Sequence, residues 1–202
     1  MNIFKDRKAI RNYDSTFKIP KKELETILED ALFAPSSMNM QPTRLFVIES
    51  EAYKEKLRNV LLGNQLQLDT SSAMICLFTD LKKYNYAEKI FDTAFQKGLL
   101  PKDVKDRQLT NIANMIDDLD LHQVERTGVL DGGLVAMQLM LSAKSHGYDT
   151  CPIGGFKHDQ LAKVFDLDEN RYKPLLIISI GKAAEDGYES LRLPLTDTVQ
   201  YK

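Results

Sequence analysis

The sequence predicts an α+β fold in which a central mixed or antiparallel sheet is flanked by helices. Three segments carry this prediction: an amphipathic stretch after Pro20, an almost wholly apolar run at 71–80, and a long apolar stretch at 129–146. The first has the period of a helix with one buried face, and the second has the length and composition of a central strand. The third predicts a long helix that is apolar over most of its circumference. Helices combined with separated strands are typical of α+β domains.

The first predicted helix begins after Pro20, a residue that suits a first helical turn. Apolar side chains recur along it with the spacing of one buried helix face, at Leu24, Ile27, Leu28, Ala31 and Leu32. Pro35 ends the helix, because a proline disfavours helical geometry in the residue before it.

The remaining elements follow from the same patterns. We expect strands at 43–50, 71–80 and 174–180, a short strand before Gly154, and helices at 51–62 and 158–166. Residues 81–126 are rich in charge and only weakly periodic, with a break at Pro101. They predict two or three helices that cover the core as a lid. The whole chain, 1–202, is predicted to form one domain.

The helix predicted at 129–146 is apolar over most of its circumference. Val129, Leu130, Leu134, Val135, Met137, Leu139, Met140 and Leu141 cannot share one narrow stripe. A helix of this kind needs cover on several sides, and a second subunit is a suitable cover in a chain of this size. Gly147 is placed to end the helix. The polar tail, residues 185–202, is expected to be ordered only if it docks on another part of the protein.

Composition excludes several classes of protein. The 202 residues carry a formal net charge of −2, so the chain shows no overall attraction to nucleic acid. No run approaches the ~20 apolar residues of a membrane span, and the start lacks the apolar stretch of a signal peptide. Two cysteines, Cys76 and Cys151, predict no disulfide framework, with Cys76 in the core. These features favour a cytoplasmic protein.

Four polar or glycine-containing stretches are candidates for a binding site. The first is basic, and if it is helical, Arg7 and Arg11 lie one turn apart, where two guanidiniums suit a phosphate. The second, Pro35 to Pro42, is a stiff loop rich in donors and acceptors. Each also has a simpler explanation, as a solvated charged end or as a turn after a helix.

The other two stretches suit a flat heterocycle. Asn64 and Gln67 are three residues apart, and their amides match a ring edge of alternating carbonyl and N–H groups. The glycines Gly154 and Gly155 follow a short strand and allow a backbone to approach a ring closely. Alone, these features also fit surface amides and a tight turn.

Motifs of other enzyme classes are missing. The sequence has no GxGxxG fingerprint, no phosphate-binding loop of the Walker type, and no GxSxG elbow. His122, His146 and His158 lack metal-ligand spacing, so no metal site is expected. No histidine lies beside Cys151 in sequence, which makes a catalytic thiol a poor hypothesis.

Taken in order, these stretches resemble the motifs of the nitroreductase family of FMN enzymes. Arg7 to Tyr13 is similar to its opening R-[RH]-S-x-[RK]-x-[FY] motif, and Ala34 to Pro42 to its A-P-S-[ST]-x-N-x-Q-P motif. Gly147 to Phe156 resembles G-[LY]-D-x-x-P-I-x-G-F after a hydrophobic helix, and Arg192 begins an R-L-P motif near the end. The resemblance covers nearly the whole chain and constrains 81–126 least.

The resemblance implies a three-layer α+β fold and a homodimer whose C-terminal arm wraps the partner. It implies non-covalent FMN at the subunit interface, with NAD(P)H as co-substrate. Hydride would pass through flavin N5 to a small electron-poor acceptor (nitroaromatic, quinone or enone) in a ping-pong reaction. Two alternatives stay open: a non-catalytic flavin sensor or store, and other flavin chemistry such as dehalogenation or oxidation. Neither nucleic acid nor a membrane is an expected partner.

The resemblance also assigns FMN contacts, and no side chain is assigned a catalytic role of its own. Arg7, Lys8 and Arg11 would contact the phosphate, ribityl and pyrimidine side, with Arg192 at the phosphate. Asn64 and Gln67 would face the pyrimidine, and the backbone of Pro152, Ile153, Gly154 and Gly155 would lie along the ring. The partner subunit would supply Pro35, Ser36, Ser37 and Asn39.

The sequence departs from the family pattern near the phosphate and pyrimidine. Ala9 replaces the usual serine and removes a hydroxyl from the phosphate side. Gln67 replaces the lysine of some members, and a neutral amide stabilises a reduced anionic flavin less than a cation does. Arg11, supported by Gln67, is therefore the predicted stabiliser of that charge.

Overall fold

The computed structural model describes residues 2–116 and 118–202. Its helices are α1 (Ile3–Asp6), α2 (Lys21–Leu32), α3 (Glu51–Arg58), α4 (Gln65–Thr70), α5 (Ala87–Gln96), α6 (Lys102–Ile116), α7 (Leu121–Ser145), α8 (His158–Val164) and α9 (Leu195–Thr198). Its strands are β1 (Thr43–Ile48), β2 (Ala73–Asp80), β3 (Asp149–Ile153) and β4 (Tyr172–Gly181). Short 3₁₀ turns lie at Ser37–Asn39 and Lys83–Tyr86. The elements predicted after Pro20, at 43–50, 51–62, 71–80, 158–166 and 174–180 are confirmed, with shifted ends.

The described strands form one sheet in the order β1-β2-β4-β3. Each neighbouring pair is antiparallel, so the antiparallel form of the predicted sheet is the correct one. Every residue of β2 is buried, as expected for a strand with partners on both sides and helices on both faces. The predicted break at Pro101 separates α5 from α6.

Alternating side chains of β2 divide the core into two layers. Ala73, Ile75 and Leu77 pack with α2 and α7 on one face of the sheet. Met74, Cys76 and Phe78 point to the other face, where they pack with α3, α4 and α8. This is the two-residue period of a strand, and it produces the predicted three-layer architecture. Cys76 lies in the core as predicted.

The long helix begins earlier than the sequence indicates. The prediction of 129–146 is wrong at its start, because α7 runs from Leu121 to Ser145 and is capped by Asp120, which accepts the His122 N–H at 2.9 Å. Polar residues and Gly128 interrupt the apolar pattern in its first turns. Gly147 ends the helix with φ of +81°, as predicted.

The basic N-terminal segment is extended and not helical at its candidate residues. Arg7 and Arg11 are predicted to lie one turn apart only if the segment is helical. Helix α1 ends at Asp6, so that condition is not met. The backbone after Arg7 pairs instead with residues far along the chain, at Thr150 and Ala183. Side chains four apart on an extended segment still project to the same side, at a wider spacing than on a helix.

Part of α7 is left uncovered by the residues that the structure describes. Leu130, Leu134 and Met137 are 66%, 49% and 39% exposed, while Val135 and Leu139 on the opposite side are buried. Exposed apolar side chains also line the last twenty residues, including Leu191 at 92%. The tail predicted to be polar therefore also carries exposed apolar side chains. Contiguous exposed apolar surface of this kind marks an interaction site.

Residues 81–116 pack on a small core of their own. Ala87, Phe91 and Ile112 form a cluster with Met40 that is separate from the two layers on the sheet. Phe95 and Ile116, also apolar in the predicted pattern, are partly exposed. In the described residues, no helix is long and apolar enough to cross a membrane.

Candidate active site

The basic segment lies beside β3 at the edge of the sheet. Ala9 forms a parallel bridge with Thr150, and the Ile10 N–H donates to the Thr150 carbonyl at 3.1 Å. Tyr13 anchors the end of the segment, with its buried hydroxyl 2.8 Å from Ser179 Oγ. These contacts hold Arg7 to Arg11 alongside the strand that leads into Gly154.

A cationic pocket of about 320 Å³ lies at the start of this segment. Arg7, Lys8 and Arg192 line it together, although Arg192 is nearly two hundred residues away in sequence. Arg7 Nε is buried and has no hydrogen-bond partner in the described part of the chain. Glu189 shares the pocket and lies 2.5 Å from Lys8 Nζ, a hydrogen bond that raises the pKa of Lys8.

The two amides meet the glycine turn. Asn64 has left-handed backbone geometry at the start of α4, and its Oδ1 accepts from Gln67 Nε2 at 2.9 Å. The Leu62 N–H donates to the Gly155 carbonyl at 2.8 Å, and a Cβ at Gly155 would lie 3.6 Å from Asn64 Nδ2. A Cβ at Gly154 would meet nothing within 4 Å. The backbone at Gly154 therefore faces open space beside the amides.

Cys151 lies where these stretches converge. It follows Thr150 on β3, and burial raises the pKa of its thiol, while a hydrogen bond with Gln67 and the charges of Arg11 and Arg7 act in the opposite direction. Pro152 is exposed and Ile153 is buried as the strand enters the glycine turn. The structure thus brings together three of the four predicted stretches.

We expect both thiols to be unreactive in the folded protein. Burial raises the pKa of Cys76 and of Cys151, and the thiolate is the reactive species. In a disulfide-exchange assay at pH 8, labelling should be on the order of 100-fold slower than for a free thiol. Two thiols per chain should react after unfolding in guanidinium. Rapid labelling of one thiol in native protein would contradict this assignment.

The remaining stretch, Pro35 to Pro42, lies apart from the other three. It leads into β1, which is at the opposite edge of the sheet from β3. The Ser37 N–H donates to buried Asp131 on α7 at 3.0 Å, and Ser36 Oγ accepts the Gln41 N–H at 2.9 Å. Met38, Asn39 and Gln41 all have positive φ, a costly geometry that persists only where the surroundings impose it. Among the described residues, no hydrogen bond or ion pair joins this loop to the other three stretches.

Charged residues around the site escaped the sequence analysis. Asp131 faces Lys83 inside the protein, with Oδ2 and Nζ 3.9 Å apart. Glu185 Oε1 accepts the backbone N–H of Arg11 at 2.7 Å. Asp131 could have been singled out from the sequence, because it is a lone aspartate in an apolar helix. Glu185 could not, because nothing distinguishes it from the other polar residues of the tail.

A model of the nitroreductase family matches residues 4–182. The chain belongs to the nitroreductase family. A candidate NAD(P)H nitroreductase of Bacillus subtilis, YdgI, is 47% identical over 202 residues, with 100% of this chain and 97% of the relative covered. A candidate nitroreductase from Exiguobacterium sibiricum, solved in complex with FMN, superimposes with a TM-score of 0.97 at 48% identity, covering 100% of this chain and 96% of that chain.

A more distant member has a named reaction. A protein of Lactiplantibacillus plantarum named CLA biosynthesis enone reductase is 26% identical over 192 residues, with 95% of this chain and 88% of the relative covered. Membership and these similarities identify an NAD(P)H-dependent oxidoreductase that uses FMN.

Proposed function

We propose that FMN binds along the edge of β3, where three distant parts of the sequence converge. Arg7, Lys8 and Arg192 would hold the phosphate, and Arg11 would lie nearer the ring. Asn64 and Gln67 would face the pyrimidine. The backbone of Pro152, Ile153, Gly154 and Gly155 would lie along the ring. The observation that carries this proposal is the closeness of the Asn64 amide to Gly155, in the turn that follows β3, together with the cationic segment that borders the same strand.

Two features support the fit of these residues to the cofactor. Arg7 Nε is a buried donor without a partner among the described residues, which is costly unless a ligand accepts from it. The open space beside Gly154 would be reduced by any side chain there. Ala9 offers no hydroxyl, so cations carry the phosphate interaction.

The proposed reaction moves hydride from NAD(P)H to a small nitroaromatic, quinone or enone acceptor in two half-reactions. When bound, FMN supplies the hydride chemistry. Arg11 and Gln67 would stabilise negative charge at the pyrimidine, Arg11 by its cation and Gln67 by a hydrogen bond. The named activity of the enone reductase relative supports the enone as one acceptor class. The chain would act as one domain, with 81–126 as a lid beside the acceptor.

We further propose that the working unit is a homodimer. The exposed face of α7 and the exposed apolar side chains of the tail both require cover. A partner's loop would then supply Pro35, Ser36, Ser37 and Asn39 to the FMN site, which accounts for their separation from the other stretches in one chain.

Replacing Arg11 with alanine tests the site directly. Arg11→Ala should lose FMN or slow flavin reduction by at least about tenfold, because one charge-assisted contact is worth about 1.5–3 kcal/mol. The absorbance of purified protein at about 450 nm measures occupancy, and stopped-flow mixing with NADH measures reduction. Lys18→Ala, at an exposed lysine with no ion pair among the described residues, is the control. Wild-type occupancy and rate in Arg11→Ala would refute the site.

A further inference from the structure

A groove of about 480 Å³ separates α5 from the segment that joins the Ser37 turn to β1. One face of α5 forms one wall, with Lys89, Thr93 and Lys97 at intervals of four residues. Successive turns of a helix place such residues in a row. Asn39 and Arg44 belong to the opposite wall. We call this cavity the α5 groove.

The α5 groove is positively charged. No carboxylate lines it, and neither Lys89 nor Lys97 forms an ion pair in the described part of the chain. Lysines that face away from the groove are different, since Lys105 pairs with Asp92 at 2.9 Å and Lys102 pairs with Asp106. Within α5, α6 and the segment between them, the lysines without an ion pair among the described residues are therefore those that line the cavity.

Arg44 contributes a cation that is already fixed in place. Its guanidinium donates to the Gln41 carbonyl at 2.7 Å and lies over the ring of Tyr86, 4.8 Å from the centroid. Asp80 is 3.4 Å from Arg44, but the same carboxylate accepts two bonds of 2.8 Å from Arg171. The guanidiniums of Arg44 and Arg171 share the single carboxylate of Asp80. These three groups together therefore leave a net positive charge beside the groove.

The position of the groove connects it to the proposed reaction. Its wall includes Asn39, from the loop proposed to reach FMN, and its floor includes the apolar side chains of Met40 and Ile90. A molecule whose reactive end lies at FMN could extend its other end along this wall. Cations above an apolar floor favour an anionic group attached to an apolar body.

We propose that the α5 groove is an anion subsite for the charged end of a substrate, which carries a phosphate or a carboxylate. Lys89, Lys97 and Arg44 bind that anion while the reactive part of the molecule meets FMN. The proposal rests on the proposed function. Two sources share this chemistry: the 2′-phosphate of NADPH, and a carboxylate on the acceptor.

The test removes the two lysine charges and compares matched substrates. Lys89→Gln/Lys97→Gln protein, loaded with FMN, is assayed with NADPH against NADH, and with 4-nitrobenzoate against 4-nitrobenzamide. We expect KM for an anionic substrate to rise about tenfold with kcat unchanged, because each exposed contact contributes about a factor of three to five. KM for the counterpart that lacks this phosphate or carboxylate, NADH or 4-nitrobenzamide, should change less than about twofold. Lys18→Gln/Lys22→Gln provides a matched control at exposed lysines outside the groove.

A binding readout accompanies the kinetics. Isothermal titration of the FMN-loaded proteins with 2′,5′-ADP and with benzoate should show the same loss in affinity, and the loss should shrink at high salt. A change confined to NADPH and 2′,5′-ADP assigns the groove to the dinucleotide phosphate. A change confined to 4-nitrobenzoate and benzoate assigns it to the acceptor.

Equal effects on the two members of each substrate pair, or no effect on either member, would overturn the subsite. The wild-type reaction of NADH with neutral 4-nitrobenzamide separates this outcome from failure of the proposed function. If that reaction proceeds while charge selectivity is unaffected by the substitutions, only the subsite is wrong. If bound FMN is not reduced by NADH or NADPH, the proposed function itself is wrong.

Discussion

Leu130→Glu/Leu134→Glu protein is expected to be a folded monomer that has lost FMN. Both side chains are well exposed on α7 in the single chain, so the substitutions leave its cores intact. In the proposed dimer, four leucines would lose burial worth about 2 kcal/mol each, which weakens association by more than about a thousandfold. FMN is then lost as well, because the proposed FMN site needs the partner's Ser36, Ser37 and Asn39.

Sedimentation velocity and flavin absorbance, measured on the same samples, check this expectation. Leu130→Met/Leu134→Met is the matched control, since it keeps the apolar surface and should remain dimeric with full FMN. Far-UV circular dichroism should be the same for all three proteins. A dimer that survives the glutamates, or a monomeric wild-type protein at micromolar concentration, would place the interface elsewhere or remove it.

Lys83→Met is expected to destabilise the protein by about 3–5 kcal/mol. Lys83 and Asp131 are both buried, and each has a charged atom without a hydrogen bond in the described residues. Burial lowers the pKa of Lys83, while the charge of Asp131 opposes that change. Without Lys83, the Asp131 carboxylate stays in the interior with no opposite charge, and its hydrogen bond to Ser37 no longer has that support.

Urea denaturation at one fixed protein concentration measures the effect, because a dimer's stability depends on concentration. Adding Asp131→Asn to Lys83→Met should recover part of the loss, since the buried charge is removed while an amide oxygen can still accept from Ser37. Lys82→Met, at the exposed neighbouring lysine, should change the free energy of unfolding by less than about 0.5 kcal/mol. A Lys83→Met protein as stable as that control would show that the pair is energetically neutral.

Local patterns were sufficient for much of this fold. The run at 71–80 and the spacing from Leu24 to Ala31 predict β2 and α2 because burial imposes a period on neighbouring residues. The start of α7 was not predicted because it depends on tertiary packing and not on the local sequence pattern. At Gly128 a Cβ would lie 2.1 Å from Thr79 Oγ1, so this glycine serves close packing on β2 within a helix it would ordinarily weaken.

The candidate site, like the fold, was predicted from the sequence only where local patterns determine it. Motifs at Arg7, Asn64 and Gly154 indicated ligand-binding stretches, but their meeting point depends on β3, which pairs with the segment after Arg7 across more than a hundred residues. The extended form of that segment could not be read from its own composition. Likewise, Lys83 and Asp131 are ordinary residues in sequence, and only their shared burial makes them a pair.

The separate packing of α5 and α6 has a consequence for how such a chain diverges. Ala87, Phe91 and Ile112 pack with Met40 in their own cluster, while the sheet is stabilised by two other clusters. Mutations in these helices can therefore accumulate over generations with little effect on the layers that hold the sheet together. Descendants of one ancestral chain can therefore diverge in these two helices and still inherit the same sheet scaffold.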